Sequence, residues 1–357
     1  METAARSARD GYAPIYQTTR GGIRESLHYG AAAISDRTGK VIAWIGDPQT
    51  ITFPRSSAKP FQALPFVEGG GLAAYGLDLE DLALICASHS GTERHVAVAE
   101  RIQQKTGVSE EQLQCGAHEP YDLDARLRML AEGQTATSNH NNCSGKHSGM
   151  LAGAQMHGWP MENYLDPGHP LQQQILAAFA AMCAIEPAEV IVGIDGCSAP
   201  TFGASLAAAA TAYARLCDPD GLADSRAAAC RTIVQAITGF PEMVGGPGRF
   251  DTRLMQASAG RLVSKGGAEA FQAIGLLPEA LGAGSPALGI TVKVSDGDAS
   301  ARALRAVVLE ILIRLGALSN AEAELLADLG PQSALRNVRG LVVGEGRPCF
   351  ELVRAAD

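Results

Sequence analysis

The chain has 357 residues, 46% of them hydrophobic and 19% charged, with a formal net charge of −9. That balance suits a soluble globular protein with a sizeable core, and it argues against non-specific binding to nucleic acid or to anionic membrane surfaces. No apolar run reaches about 18 residues, so no membrane-spanning helix is predicted. The polar start, residues 1–10, lacks an apolar signal-peptide core, and a cytoplasmic location is expected. Eight cysteines in a chain this long make no dense disulfide framework and read mostly as small buried apolar residues.

Residues 27–35 and 40–45 read as apolar strands joined by an Asp36-Arg37-Thr38-Gly39 turn, a hairpin signature. A Gly-rich stretch spans 64–77. Residues 82–87 read as a short buried strand leading into Ser88-His89-Ser90-Gly91. Helical periodicity follows at 93–106, 125–132 and 171–183, with Ala-rich helical segments at 202–216 and 222–238. Between them, 190–194 is a β-branched run read as a buried strand. Strand-like segments return at 261–264, 287–294 and 341–343, with helices at 299–315 and 320–327. Strands at both ends around a helical middle predict an α+β fold in which the two ends share one antiparallel sheet packed with helices, alongside a helical region. No repeat, linker or domain boundary stands out, so residues 1–357 are read as a single catalytic domain.

Four segments carry candidate chemistry. In Phe53-Pro54-Arg55-Ser56-Ser57-Ala58-Lys59, a helix beginning near Ser56 would set Ser56 and Lys59 on one face. A neutral lysine amine can take the serine proton and create a nucleophile. The plain alternative is a capping serine and a solvated lysine. In the loop-like segment Asn141 to Gly149, every position except the two glycines is polar or reactive, and Gly145 and Gly149 permit close backbone approach. It lacks the phosphate-loop frame, and its plain alternative is a polar helix cap with a buried cysteine. Ile194-Asp195-Gly196-Cys197 lies where a strand gives way to a loop. Ser88-His89-Ser90-Gly91 could hold a nucleophile or simply start a helix. Later, Arg249 reads as a partner for a substrate carboxylate or for Asp251. Ser264-Lys265-Gly266-Gly267 loosely matches the strand lysine of serine–lysine acyl-transfer enzymes.

Together these segments resemble the asparaginase II family, the Rhizobium etli type. The likeness runs from Arg20-Gly-Gly-Ile-Arg-Glu-Ser-Leu-His28 through Asn-Cys-Ser-Gly-Lys-His147 to Ser-Lys-Gly-Gly-Ala-Glu269. The resemblance implies a fold akin to serine β-lactamases, penicillin-binding proteins and glutaminases. It also implies hydrolysis of L-asparagine to L-aspartate and ammonia by a homodimer. Ser56–Lys59 would be one serine–lysine pair, and Ser88 with Lys265 a second. Zinc would be held by Cys143, Lys146 and Cys197, with Arg55, His147 and Asp195 close to substrate. Arg24 and Leu27 depart from the family pattern, which expects an apolar and a basic residue there. Rival readings are a glutaminase or β-lactamase-like amidohydrolase, and a zinc-containing amino-acid-binding protein without turnover.

Overall fold

The computed structural model describes residues 11–355. The polar start read above, residues 1–10, lies outside the described residues. Strands β1 (Ala13–Arg20), β2 (Ile23–Asp36), β3 (Val41–Ile45) and β4 (Ile51–Thr52) come first. A helical run follows: α1 (Lys59–Glu68), α2 (Gly71–Tyr75), α3 (Leu79–Ile85), α4 (Glu93–Thr106), α5 (Leu123–Ala131), α6 (Ser144–Met156) and α7 (Pro170–Cys183). The hairpin β5 (Ile191–Ile194) and β6 (Pro200–Ser205) leads to α8 (Leu206–Cys217), α9 (Asp224–Gly239), α10 (Pro241–Val244) and α11 (Phe250–Ala257). The chain closes with β7 (Leu262–Gly267), β8 (Phe271–Leu276), β9 (Leu288–Val294), α12 (Arg302–Leu315), α13 (Asn320–Glu324), β10 (Ser333–Arg336), β11 (Val342–Pro348) and β12 (Val353–Arg354).

These elements form two compact units. The first holds the described residues up to Pro54, then Ala204–Asp218, and those from Ala257 onward. Its centre is a nine-stranded antiparallel sheet ordered β10-β11-β1-β2-β9-β8-β7, with β3 paired to β2 and β12 to β3. The two chain ends therefore share one sheet, as the sequence predicts. The β2–β3 turn forms because the Asp36 carboxylate accepts the Thr38 and Lys40 backbone N–H groups at 2.8 and 3.1 Å, and Gly39 takes a left-handed φ of 94°. Every residue of β9 is buried, and both α8 and α12 pack against it. β1 escapes the periodicity reading because its inner residues, Ile15 to Thr18, are all buried, two of them polar.

The second unit spans Arg55–Gly203 and Pro219–Gln256 and is mainly helical. Helices α1, α3, α6 and α9 pack together at its centre. Residues 144–154 of α6 are all buried. A Cβ on Gly145 would lie 2.3 Å from the Leu84 carbonyl oxygen, and one on Gly149 would lie 2.8 Å from Ile85. The glycines repeat every fourth residue, so one bare stripe lets α6 close on α3.

Several expectations are corrected. Residues 82–87 are not a strand: they belong mostly to α3, which a reciprocal Asp78–Asp81 capping box starts. The segment 202–216 opens as β6 before turning helical at Ser205, whose side chain caps α8. β5 is not buried: Ile191 is 48% exposed and Ile194 65%. The Asn141–Gly149 segment is not an open loop, since α6 begins at Ser144. Among the described residues no helix is long and apolar enough to cross a membrane.

Candidate active site

Lys59 is the pivot of the second unit. It opens α1 behind a short 3-10 turn, Arg55–Ala58, and Pro60 suits the first helical turn because its missing N–H has no partner there anyway. Lys59 is 2% exposed. Its Nζ donates to the Ala87 carbonyl at 2.5 Å, the Ser88 hydroxyl at 3.0 Å and the Asn142 carbonyl at 3.2 Å. One amine thus ties the start of α1 to the segment after α3 and to the approach of α6. Of the two candidate serines, Lys59 bonds Ser88 and not Ser56. Ser56 is half-buried on the 3-10 turn, and its hydroxyl has no hydrogen bond among the described residues.

The Ser-His-Ser-Gly segment is held at each position. Ser88 N–H donates to the Val244 carbonyl at 3.0 Å, and the Ser90 hydroxyl to the Gly245 carbonyl at 2.8 Å. Gly91 adopts φ 70° and donates its N–H to His89 Nδ1 at 3.1 Å. His89 must then carry its proton on Nε2, which donates to Ser144 Oγ at 2.9 Å. His89 is 0% exposed, and burial first, then the charges of His95 and Lys59, hold it well below the usual imidazole range. It acts as a neutral tether between the Ser88 segment and the first turn of α6.

Cys143, Lys146 and Cys197 also meet. Lys146 Nζ donates to Cys197 Sγ at 2.9 Å, Cys143 Sγ lies 3.2 Å from Asn142 Oδ1, and Cys143, Lys146 and Cys197 are all buried. The Cys197 thiol is the main cause holding the Cys143 thiol well below its ordinary value, against burial and with help from Lys59 and Lys146. The Cys143 thiol and burial push Cys197 up. Burial pulls Lys146 down, yet the two cysteines outweigh it and leave its amine raised. Among the described residues no group of three or more His, Cys, Asp or Glu could hold a metal ion. A metal here would therefore need the lysine as third ligand. Two convergent sulfurs and an amine form a donor set of the kind zinc accepts, so the residues present fit that group. Burial raises Cys115 to about 12, and the Cys143 charge adds to it, so a third thiol shares this neighbourhood.

Arg55 and Asp195 pair with each other. The Arg55 Nη2 and Nε lie 2.6 and 3.1 Å from Asp195 Oδ1, and both side chains are about one-fifth exposed, at 25% and 18%. Burial raises the Asp195 pKa, but the hydrogen bonds and charge of Arg55 outweigh it and hold the carboxyl below its ordinary range. Arg55 adopts φ 52° and Ser198 φ 70°, left-handed positions unusual for side-chain-bearing residues. His147 is 0% exposed and bonded through Nδ1 to Tyr164.

Lys265 lies in the first unit, on β7, 0% exposed, donating to its neighbour's Gly266 carbonyl at 2.9 Å. Among the described residues Arg249 closes on no carboxylate; its guanidinium lies 5.6 Å over the Tyr121 ring. The sequence reading missed Tyr164. Its signal was available: a lone tyrosine in a connecting segment must find a partner for its hydroxyl if it is buried.

Residues 16–348 match the sequence profile of the family described as L-asparaginase II. No curated protein sequence matches the chain. Among solved structures, a β-lactamase from Mycobacterium bovis is similar at 14% identity and a TM-score of 0.43, covering 80% of this chain and 95% of that one. A Bacillus subtilis glutaminase in covalent complex with 5-oxo-L-norleucine is similar at 11% identity and a TM-score of 0.35, covering 83% and 85%.

Proposed function

This chain belongs to the L-asparaginase II family, a family of amidohydrolases, and from that premise we propose that it hydrolyses L-asparagine to L-aspartate and ammonia by serine–lysine acyl transfer. The observation that carries the mechanism is the buried Lys59 amine in contact with Ser88 Oγ at 3.0 Å. The mechanism requires Lys59 to reach its neutral form, in which two N–H donors would serve the Ala87 and Asn142 carbonyls and the lone pair would be left for the Ser88 hydroxyl.

Ser88 Oγ attacks the side-chain amide carbonyl while its proton passes to Lys59 Nζ. The ammonium returns that proton to the departing nitrogen, the carbon–nitrogen bond breaks and ammonia leaves an ester on Ser88. Water attacks the ester, gives its proton to Lys59, and the proton finally restores Ser88 as aspartate departs. Ser56 is the second candidate nucleophile. The Arg55–Asp195 pair offers one charge of each sign, complementary to an amino acid's α-carboxylate and α-ammonium groups. Cys143, Lys146 and Cys197 would hold zinc, which when bound would supply a fixed positive charge to polarise and orient substrate. Metal binding would displace protons from Lys146 and Cys197. A cytoplasmic homodimer completes the proposal.

Ammonia release from asparagine by the purified protein is the deciding assay, run beside glutamine. One methylene separates the two amides and is worth about 1–3 kcal/mol of discrimination, so kcat/KM must be compared for both. Ser88→Ala should lose about 10³-fold or more in kcat. If Ser56→Ala alone abolishes turnover, the nucleophile is Ser56. If both variants keep near-normal rates, serine catalysis is wrong. Bound zinc should fall in Cys143→Ala by metal analysis.

A further inference from the structure

Tyr164 sits between α6 and α7, 0% exposed, and its hydroxyl has two hydrogen-bond partners among the described residues. The first is the Gln114 backbone N–H, at 3.0 Å, which can only donate. The second is His147 Nδ1, at 2.5 Å, with the two rings edge to face and 5.7 Å apart. A phenol has one proton to give. Gln114 already donates to the oxygen, so Nδ1 is the acceptor left for that proton. An Nδ1 that accepts is unprotonated, and the ring proton then resides on Nε2. His147 is itself 0% exposed, and its Nε2 has no hydrogen-bond partner among the described residues. Buried N–H groups are nearly always paired in folded proteins, so an unpaired one is suited to an acceptor that arrives with a ligand. The residue before it, Lys146, and the catalytic candidate Lys59 both act on His147 electrostatically, which puts it in their neighbourhood.

We propose that Tyr164 is a positioning residue whose hydroxyl locks His147 in the Nε2–H tautomer, so that a buried N–H donor is held for the carbonyl oxygen of a primary amide. The proposal rests on the amidohydrolase reading for its ligand but not for the lock itself. As the carbonyl becomes tetrahedral its oxygen gains negative charge, and a pre-oriented N–H stabilises that charge more than it stabilises the ground state. Without the Tyr164 proton, Nδ1 can take the ring proton and Nε2 becomes an acceptor, which repels the same oxygen. The buried tyrosine keeps its proton because burial pushes the phenol up, away from ionisation.

Nitrogen-15 NMR of histidine-labelled protein reads the tautomer directly, with His147→Gln identifying the signal. The wild type should show His147 as Nε2–H. Tyr164→Phe should move it to Nδ1–H or a mixture, and lower kcat for asparagine about 10- to 100-fold with KM changed less than about twofold. A Nδ1–H tautomer in the wild type would overturn the proposal, as would a Tyr164→Phe protein with unchanged tautomer and kcat. A merely structural tyrosine would lower stability and leave the tautomer alone. Should Tyr164→Phe not fold, the wild-type spectrum decides. If the wild type releases no ammonia from any primary amide, the amidohydrolase reading fails while the spectrum still tests the lock.

Discussion

Replacing the Lys59 amine by a thioether would leave two carbonyls, the buried one of Ala87 and the part-buried one of Asn142, facing an apolar tip. Lys59→Met is therefore expected to lose more than activity. Its kcat should fall about 10³-fold or more, and its unfolding free energy by about 1–3 kcal/mol for the stranded acceptors, measured by steady-state kinetics and urea denaturation. Lys59 was legible as a candidate because a serine stands three positions before it. Its partners were not, since Ala87 and Asn142 lie 28 and 83 positions away and only tertiary packing brings them in. The lysine's hydrogen bond to Ser88 rather than Ser56 follows from the same fact. Local spacing proposes a pair, but the turn that carries Ser56 is 3-10, and the amine extends across to another segment.

Helix α6 explains why the most reactive-looking segment of the chain is also among its most buried. Gly145 and Gly149 were read as allowing close backbone approach, and they do, but the neighbour is α3. Gly145→Ala places a methyl 2.3 Å from the Leu84 carbonyl, where backbone must shift to make room. A loss of about 1–3 kcal/mol or more is expected by denaturant unfolding, with reduced kcat because the movement disturbs Cys143 and Lys146 on the same turn. Helix α3 itself was read as a strand because 82–87 is a short apolar run, which periodicity cannot assign on its own. The deciding residues were Asp78 and Asp81 just before it, a reciprocal cap that commits the segment to helix. β5 and β6 show the opposite lesson. Ile191 and Ile194 read as buried by composition, yet among the described residues their strand pairs only with β6, and they stay exposed.

Across the whole molecule, the buried histidines tie stability to pH. Burial lowers His89, His95 and His147 below the usual imidazole range. His95 is the most tractable. It closes the Thr92 capping box of α4, donates to the Glu242 carbonyl at 3.0 Å, and lies near Arg94, Asp122, Glu242 and the stacked His89 ring. The folded state prefers neutral His95, so its contribution is present above an unfolded value of 6.5 and is lost as pH falls from there through the depressed folded value. Urea midpoints should drop between about pH 7 and pH 5. His95→Gln should flatten that slope in part, with the other buried histidines keeping the remainder. An unchanged slope would show that His95 does not contribute. At this scale the sequence was most readable: an antiparallel sheet from both chain ends follows from strands at the termini and helices between. The interleaving of two units was not readable, because no linker marks a crossing when each crossing continues a packed element.

The strand order also sets a timetable for synthesis. β2 is central, and one of its sheet neighbours, β9, begins about 250 residues after β2 ends. At a translation rate of roughly 5–20 residues per second, the N-terminal hairpin leaves the ribosome tens of seconds before that neighbour exists. Helices α1, α3, α6 and α9 of the second unit pack on one another within the stretch made in between. The helical unit can therefore fold first during synthesis, while the apolar β2 edge waits unpaired. That interval is when chaperone demand and aggregation of the nascent chain should peak.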